Sequence, residues 1–400
     1  MVWGNTKTGI CACLLLTICM AQADSVENRT VFLKQLKDFV PKGIESDRTV
    51  SPIDKDWISW QMRTGELPPD FNSMPSIPFL PEPLILDEGG ANVPIKTIEQ
   101  WQEKTKQIKE NISFILGNEP DLISPDIQAD AMRDVTNLNW PEIKTAHVTK
   151  DILFGRLYMP QDKGNCPAII YLHEYAHTTG CVRGKADMID ELVRKGFAVY
   201  IFDQIGYGTR IIEGQYFYMR WPKWSKMGRA ISDVRFVVDE LSKVEAIDSK
   251  KIFTAGYALG ATVALYSAAM DDRIAGVVSV CGFTPLRTSG KNKDIEGIKA
   301  YSHLHGLIPR LGFFIGHETR LPVDFDEIIA SIAPRPVTII SPEFDHDADI
   351  ADIKKCCENI NKVYQLLGAD GKFKCCYPYY YNRFYGVVME DFCKALDEIK

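Results

Sequence analysis

From Pro141 to its C-terminus the chain alternates short apolar runs of strand character with runs whose apolar residues recur at helical spacing. That alternation restricts it to a layered architecture, a mostly parallel sheet covered by helices on both faces. Val148 and residues 153–158 suggest a hairpin at the sheet edge, and 168–172 a central strand. Residues 188–195 belong to a helix and 198–202 to the next strand. Met227, Ile231, Val234, Val238 and Leu241 mark one face of a long helix. Strand 251–255 and helix 259–270 follow, then strands at 274–281 and 336–340. A helix over 350–367 stops at Gly368, and residues 373–377 form the last strand before a C-terminal helix.

The junction between strand 251–255 and helix 259–270 reads Gly256-Tyr257-Ala258-Leu259-Gly260. Strand, tight turn and helix are the context of a G-x-S-x-G nucleophile elbow, and two glycines let such a turn close and let helix approach strand. Here alanine stands where the serine belongs. A methyl group cannot attack a carbonyl, so the frame is present and its usual chemistry is not.

The 400 residues, 46% hydrophobic and 25% charged, suffice for a large core, and the formal charge of −7 with no basic block gives nucleic-acid binding no support. Residues 1–23 combine Lys7, an apolar stretch from Ile10 to Met20 and Ala21-Gln22-Ala23, the pattern of a cleaved secretory leader. A secreted or periplasmic protein without a transmembrane segment is expected. Residues 24–140 form an N-terminal helical and extended extension or cap, punctuated by Pro68, Pro69, Pro75, Pro78, Pro81 and Pro83 and carrying a helix over 97–116. Residues 141–400 form the main domain, with a possible lid insert at 284–321 that holds His303 and His305. Eight cysteines lie beyond the leader. Cys357 and Cys393 suit helix core positions, while a bridge between the doublets Cys356-Cys357 and Cys375-Cys376 is the alternative.

Over residues 141–400 the chain resembles the α/β-hydrolase fold, and more narrowly its acetyl-xylan-esterase and dienelactone-hydrolase-like branch. The stretches that carry this are Leu172-His173-Glu174-Tyr175, Phe202-Asp203-Gln204-Ile205-Gly206-Tyr207-Gly208, the elbow frame, and Asp345 beyond strand 336–340. The resemblance implies a triad acid at Asp345, with Asp347 as its neighbour, and a histidine after the last strand. Asn382 most nearly fills that slot, because no histidine follows His346. An amide cannot take the serine proton as imidazole does, and losing one triad member costs about 10⁴-fold or more in turnover. The oxyanion donors are backbone amides, those of Leu259 and of the loop near His173, and alanine at 258 leaves them in place.

His173-Glu174-Tyr175-Ala176-His177 also matches H-E-x-x-H, but that motif binds zinc from a helix. On extended backbone residues four apart are about 13 Å from each other, so no metal and no cofactor is expected. Glu174, His177 and Asp203 are alternative catalytic candidates for acid-base chemistry, and Tyr175, Arg210 and Arg383 are ligand-binding candidates. Tyr216, Tyr218, Trp221, Trp224 and the run Tyr379-Tyr380-Tyr381 offer flat faces for sugar rings. Three readings follow. The first is an esterase-like protein without serine-esterase activity that binds a carbohydrate or small acyl ligand. The second is a divergent hydrolase or lyase acting on a polysaccharide or its esters through the Glu/His/Asp cluster, and the third a serine-type esterase whose nucleophile is Ser279, Cys281 or Ser341. The first is the expectation carried forward.

Overall fold

The computed structural model describes residues 52–77, 81–88, 91–120, 144–146, 155–161, 164–176, 181, 186–288 and 297–400. It divides into two compact units, Met1–Lys55 and Asp56–Lys400. Of the first, only residues 52–55 are described, in the opening turn of helix α1 (Pro52–Thr64). The leader expected over residues 1–23, Val148 and His177 lie outside the described residues.

In the second unit a short hairpin, β1 (Ile85–Glu88) and β2 (Ala91–Pro94), leads into α2 (Ile98–Leu116). The helix starts where Thr97 and Gln100 exchange side-chain and backbone hydrogen bonds, a capping box that satisfies two otherwise orphaned amides. Its buried Trp101, Ile108, Ile112 and Ile115 join the same apolar cluster as one face of the main sheet.

That sheet has eight strands in the order β10-β9-β8-β7-β5-β6-β4-β3. They are β3 (Lys144–Ala146), β4 (Gly155–Met159), β5 (Cys166–Leu172), β6 (Ala198–Phe202), β7 (Ile247–Tyr257), β8 (Val277–Val280), β9 (Val337–Ile340) and β10 (Phe373–Cys376). The β3–β4 and β4–β6 pairs are antiparallel, and every other pair is parallel. At the sheet edge 144–146 pairs with 157–159, the latter overlapping the expected 153–158.

Burial on both faces explains why the central strands read as unbroken apolar runs. Along β5, Ala168, Ile170 and Leu172 enter one core cluster while Ile169 and Tyr171 enter the other, as a side-chain period of two demands. The first core lies under α5 (Lys226–Leu241), α6 (Leu259–Met270) and α8 (Ile350–Leu366). The second is closed by α3 (Ala186–Arg194) and α9 (Val387–Glu398). Helix α4 (Ile211–Arg220) follows the loop after β6, and α7 (Phe325–Ala330) precedes β9. Among the described residues no helix is long and apolar enough to cross a membrane.

Strand order decides where a site can form. The chain leaves β5 for β6 on one side and later returns to β7 on the other, so the crevice beyond the carboxyl ends of β5 and β7 is a topological switch point. The parallel ladder is in step there, with Leu172 opposite Gly256 and Tyr257, Val280, Ile340 and Cys376 successive neighbours across four strands. Loops leaving at one level converge on one crevice.

Candidate functional site

Ala258 is the apex between β7 and α6, with φ 50° and ψ −118°. A non-glycine residue at positive φ costs about 1–3 kcal/mol and persists only where its surroundings over-determine it. Here they do. A Cβ on Gly260 would overlap the Leu172 carbonyl, and one on Gly256 would overlap the Gly260 backbone, so both glycines allow helix and strands to meet at backbone contact. The amide of Ala258 donates to Val280 at 2.9 Å and its carbonyl accepts from the Thr262 amide at 3.0 Å. Leu259 opens α6, where backbone N–H groups have no intrahelical partner.

The crevice holds a cavity of about 240 Å³ lined by Glu174, Tyr175, Tyr257, Ala258, Cys281, Asp345, Asp347 and Asn382. These come from the ends of β5, β7, β8, β9 and β10. Four catalytic candidates from the sequence, Glu174, Ala258, Asp345 and Asn382, thus share one cavity with Tyr175.

Five of the cavity's groups, Asp345, Asp347, Asn382, Tyr257 and Cys281, engage one another. Asp345 accepts the Asp347 amide on Oδ1 at 2.9 Å, and Asp347 accepts from Asn382 Nδ2 on Oδ2 at 2.8 Å. The Tyr257 hydroxyl donates to the Asn382 carbonyl. Burial, then Cys281 and Asp345, push the Tyr257 phenol above its usual range. Cys281 follows β8 at φ 50°, a second strained non-glycine residue beside the elbow, and its thiol hydrogen-bonds Asp345. Burial first and the Asp345 charge second raise its pKa, so at neutral pH it is a thiol donating to the carboxylate.

His173 is buried and committed to the loop. Its Nε2 accepts the Gln204 amide at 3.0 Å, which leaves the proton on Nδ1, 2.6 Å from the Glu174 carbonyl. Both ring nitrogens are therefore used in positioning. His305 stacks on Tyr175, with centroids 4.2 Å apart, and brings the segment after residue 297 against the cavity wall. His303 instead stacks on Trp57.

Other candidates are placed elsewhere. Asp203 accepts from the Cys181 amide at 2.7 Å and from the Thr209 amide and hydroxyl at 2.8 and 2.9 Å, so its buried carboxylate braces the loop after β6. Arg210 is also buried. It meets Asp233 at 2.6 Å and Glu213 at 2.7 Å, and Arg229 shares Asp233. Burial disfavours its charge, but Asp233 and Glu213 outweigh that and raise its pKa. Arg383 is exposed and does not line the cavity. Of the aromatics, Trp224 is buried and Tyr218 donates to the Gly306 carbonyl at 2.6 Å, both bracing roles. The eight cysteines among the described residues are free thiols, and those of Cys357 and Cys375 hydrogen-bond each other. Sequence reasoning did not single out Tyr257 as a cavity residue; lying inside the elbow frame was the only signal it gave.

Sheet order, elbow and crevice define an α/β-hydrolase-fold protein. Within that class the family described as glucuronyl esterase, fungi, matches residues 149–368, and the chain belongs to the glucuronyl esterase family. Carbohydrate esterase MZ0003 from an unknown prokaryotic organism is 23% identical over 350 residues, covering 73% of this chain and 79% of that protein. In structure the chain is similar to a promiscuous CE15 esterase from the marine bacterial metagenome. The TM-score is 0.59 at 15% identity, with 83% of this chain and 99% of that one covered. A glucuronoyl esterase from Solibacter usitatus gives 0.58 at 15% identity, covering 82% and 100%. The superfamily expected from the sequence is thereby shown, and the glucuronyl esterases are the family within it.

Proposed function

We propose that this chain is an exported member of the glucuronyl esterase family that binds a carbohydrate, or an acyl group carried on one, without turning it over through an acyl-serine. One observation carries the reading. The elbow apex at Ala258 keeps its strained backbone while offering only a methyl group, and the group across the cavity is the Asn382 amide, held by Asp347.

Every step of the serine route then lacks its agent. Residue 258 offers no hydroxyl to add to the carbonyl, and no imidazole stands at residue 382 to accept its proton or return it to the leaving alcohol. Cys281 is no substitute, because its thiol is protonated and directed at Asp345. What remains suits binding: the carboxylates of Glu174, Asp345 and Asp347 and the faces of Tyr175 and Tyr257 line the cavity, and the Leu259 amide opens the helix directly behind its Ala258 wall.

The test pairs a fluorophosphonate probe with ester hydrolysis. The expected result is no covalent label and no turnover of an alkyl glucuronate ester above buffer, together with binding of a uronic-acid-bearing xylan. Stoichiometric labelling, or turnover within a few hundredfold of an active esterase, overturns the reading.

A further inference from the structure

Outside the cavity the surface carries a group of large rings that the core does not use. Tyr379 is 82% exposed, Tyr381 45% and Phe344 36%. Phe344 lies 4.5 Å from Tyr379 at an interplanar angle of 70°, and 5.5 Å from Tyr381 at 37°. Rings of this size left in water cost free energy, and a contiguous exposed group of them marks an interaction site.

Backbone pairing holds them out. The loop after β9 and the loop after β10 are joined by the Glu343 amide on the Pro378 carbonyl at 2.9 Å and the Phe344 amide on the Tyr380 carbonyl at 3.0 Å. A parallel bridge links Phe344 with Tyr381. The rings are therefore presented by a fixed frame, which reduces the ordering cost of binding.

We propose that Phe344, Tyr379 and Tyr381 form a stacking platform for the pyranose rings of a polysaccharide, continuing the cavity outward along one sugar chain. The platform rests on the carbohydrate reading of the cavity. Its chemistry points to sugar because pyranose rings present C–H bonds from flat faces, which pack on the electron-rich face of an aromatic ring, while their hydroxyls need polar groups at the side. His346, Asp347 and Arg383 supply that exposed polar edge. Continuity fixes the direction: Phe344 and Tyr381 each directly precede a cavity residue, Asp345 and Asn382. Planes tilted against one another suit consecutive sugars of a twisted chain better than a single flat ligand.

The test is affinity electrophoresis of the full chain through gels containing a soluble uronic-acid-bearing xylan, with thermal melts to show that each variant is folded. Tyr379→Ala and Tyr381→Ala are expected to weaken retardation about three- to tenfold each, while Tyr379→Phe, which keeps the ring, retains it. Unchanged retardation in both alanine variants, alongside its loss in Asn382→Leu, overturns the platform and leaves the cavity reading standing. A wild-type chain that no polysaccharide retards overturns both. Concentration-dependent self-association of the wild type that Tyr379→Ala abolishes also overturns the platform, because the rings then serve a second copy of the chain.

Discussion

Asn382 donates from its side-chain amide to Asp347 at 2.8 Å, so the residue standing where the proton-accepting imidazole is expected is itself tied to an acid. The pairing orients the Asn382 side chain beside the elbow, and an amide there has no basicity to offer. Returning a hydroxyl to residue 258 alone therefore leaves the serine without a base.

Ala258→Ser is expected to raise ester hydrolysis less than about tenfold over background, whereas Ala258→Ser with Asn382→His gains a further 10²–10⁴-fold, roughly the worth of a positioned general base. Steady-state rates on an alkyl glucuronate ester measure this. Equal recovery in the single and double variants shows that Asn382 is not the base position.

Gly260→Ala places a methyl group into the Leu172 carbonyl, against backbone that cannot rotate away. A loss of about 3 kcal/mol or more is expected, at the upper end of single-substitution effects. Urea unfolding of the variant against wild type reads it directly, and a loss under about 1 kcal/mol shows that the helix can shift.

Asp233 sits between two buried guanidinium groups, those of Arg210 and Arg229. Asp233→Leu leaves both cations in a low-dielectric interior with Glu213 as their remaining anion, and costs about 3–5 kcal/mol. Replacing Arg210 and Asp233 together by apolar residues is expected to cost less than the single change, which a double-mutant cycle measures.

Asp326 on α7 gives a pH signature. Burial, then Glu327, with Asp324 adding, push its carboxyl up to about 7 against the opposing pull of Arg287, and neither oxygen has a hydrogen-bond partner among the described residues. Lys104, paired with Glu327, and the Cys356 thiol are the other titratable groups here. A folded-state pKa above the unfolded value means that the native state binds the extra proton. The contribution is then fully present below about pH 4 and is lost as pH rises through about 7. Asp326→Asn is expected to remove that loss, so the stability difference between variant and wild type grows from pH 4 to pH 8 in the variant's favour. Urea midpoints across that range test it, and a flat difference rejects it.

Much of the fold could be read from the chain because the parallel strands are short apolar runs between breakers. Strand β6 and helix α6 occupy the residues expected, 198–202 and 259–270. Strand β8 starts later than expected, at Val277. The segment before it is a turn closed by the Ile274 amide on the Asp271 carbonyl, and the Ala275 amide bonds the distant Ile252 carbonyl, a pairing that periodicity does not record. The site divides in the same way. Glu174, Ala258, Asp345 and Asn382 could be placed together because each follows a strand of one parallel ladder. Asp203 and Arg210 also follow a strand, but their partners, the Cys181 amide and Asp233, lie about twenty residues away and turn both side chains inward. The aim of Cys281 depends on a positive φ, which nothing in its residue type announces.

The contact of Gly260 with Leu172 separates the loss of a reaction from the loss of a shape. The side chain at the apex lines the cavity rather than the core, so it can change with little effect on packing. Enlarging either flanking glycine displaces a helix and through it the sheet. The shape of the turn and the reactivity of its apex are thus set by different residues, so chemistry at residue 258 can be changed by substitution while the junction of helix and sheet stays as it is.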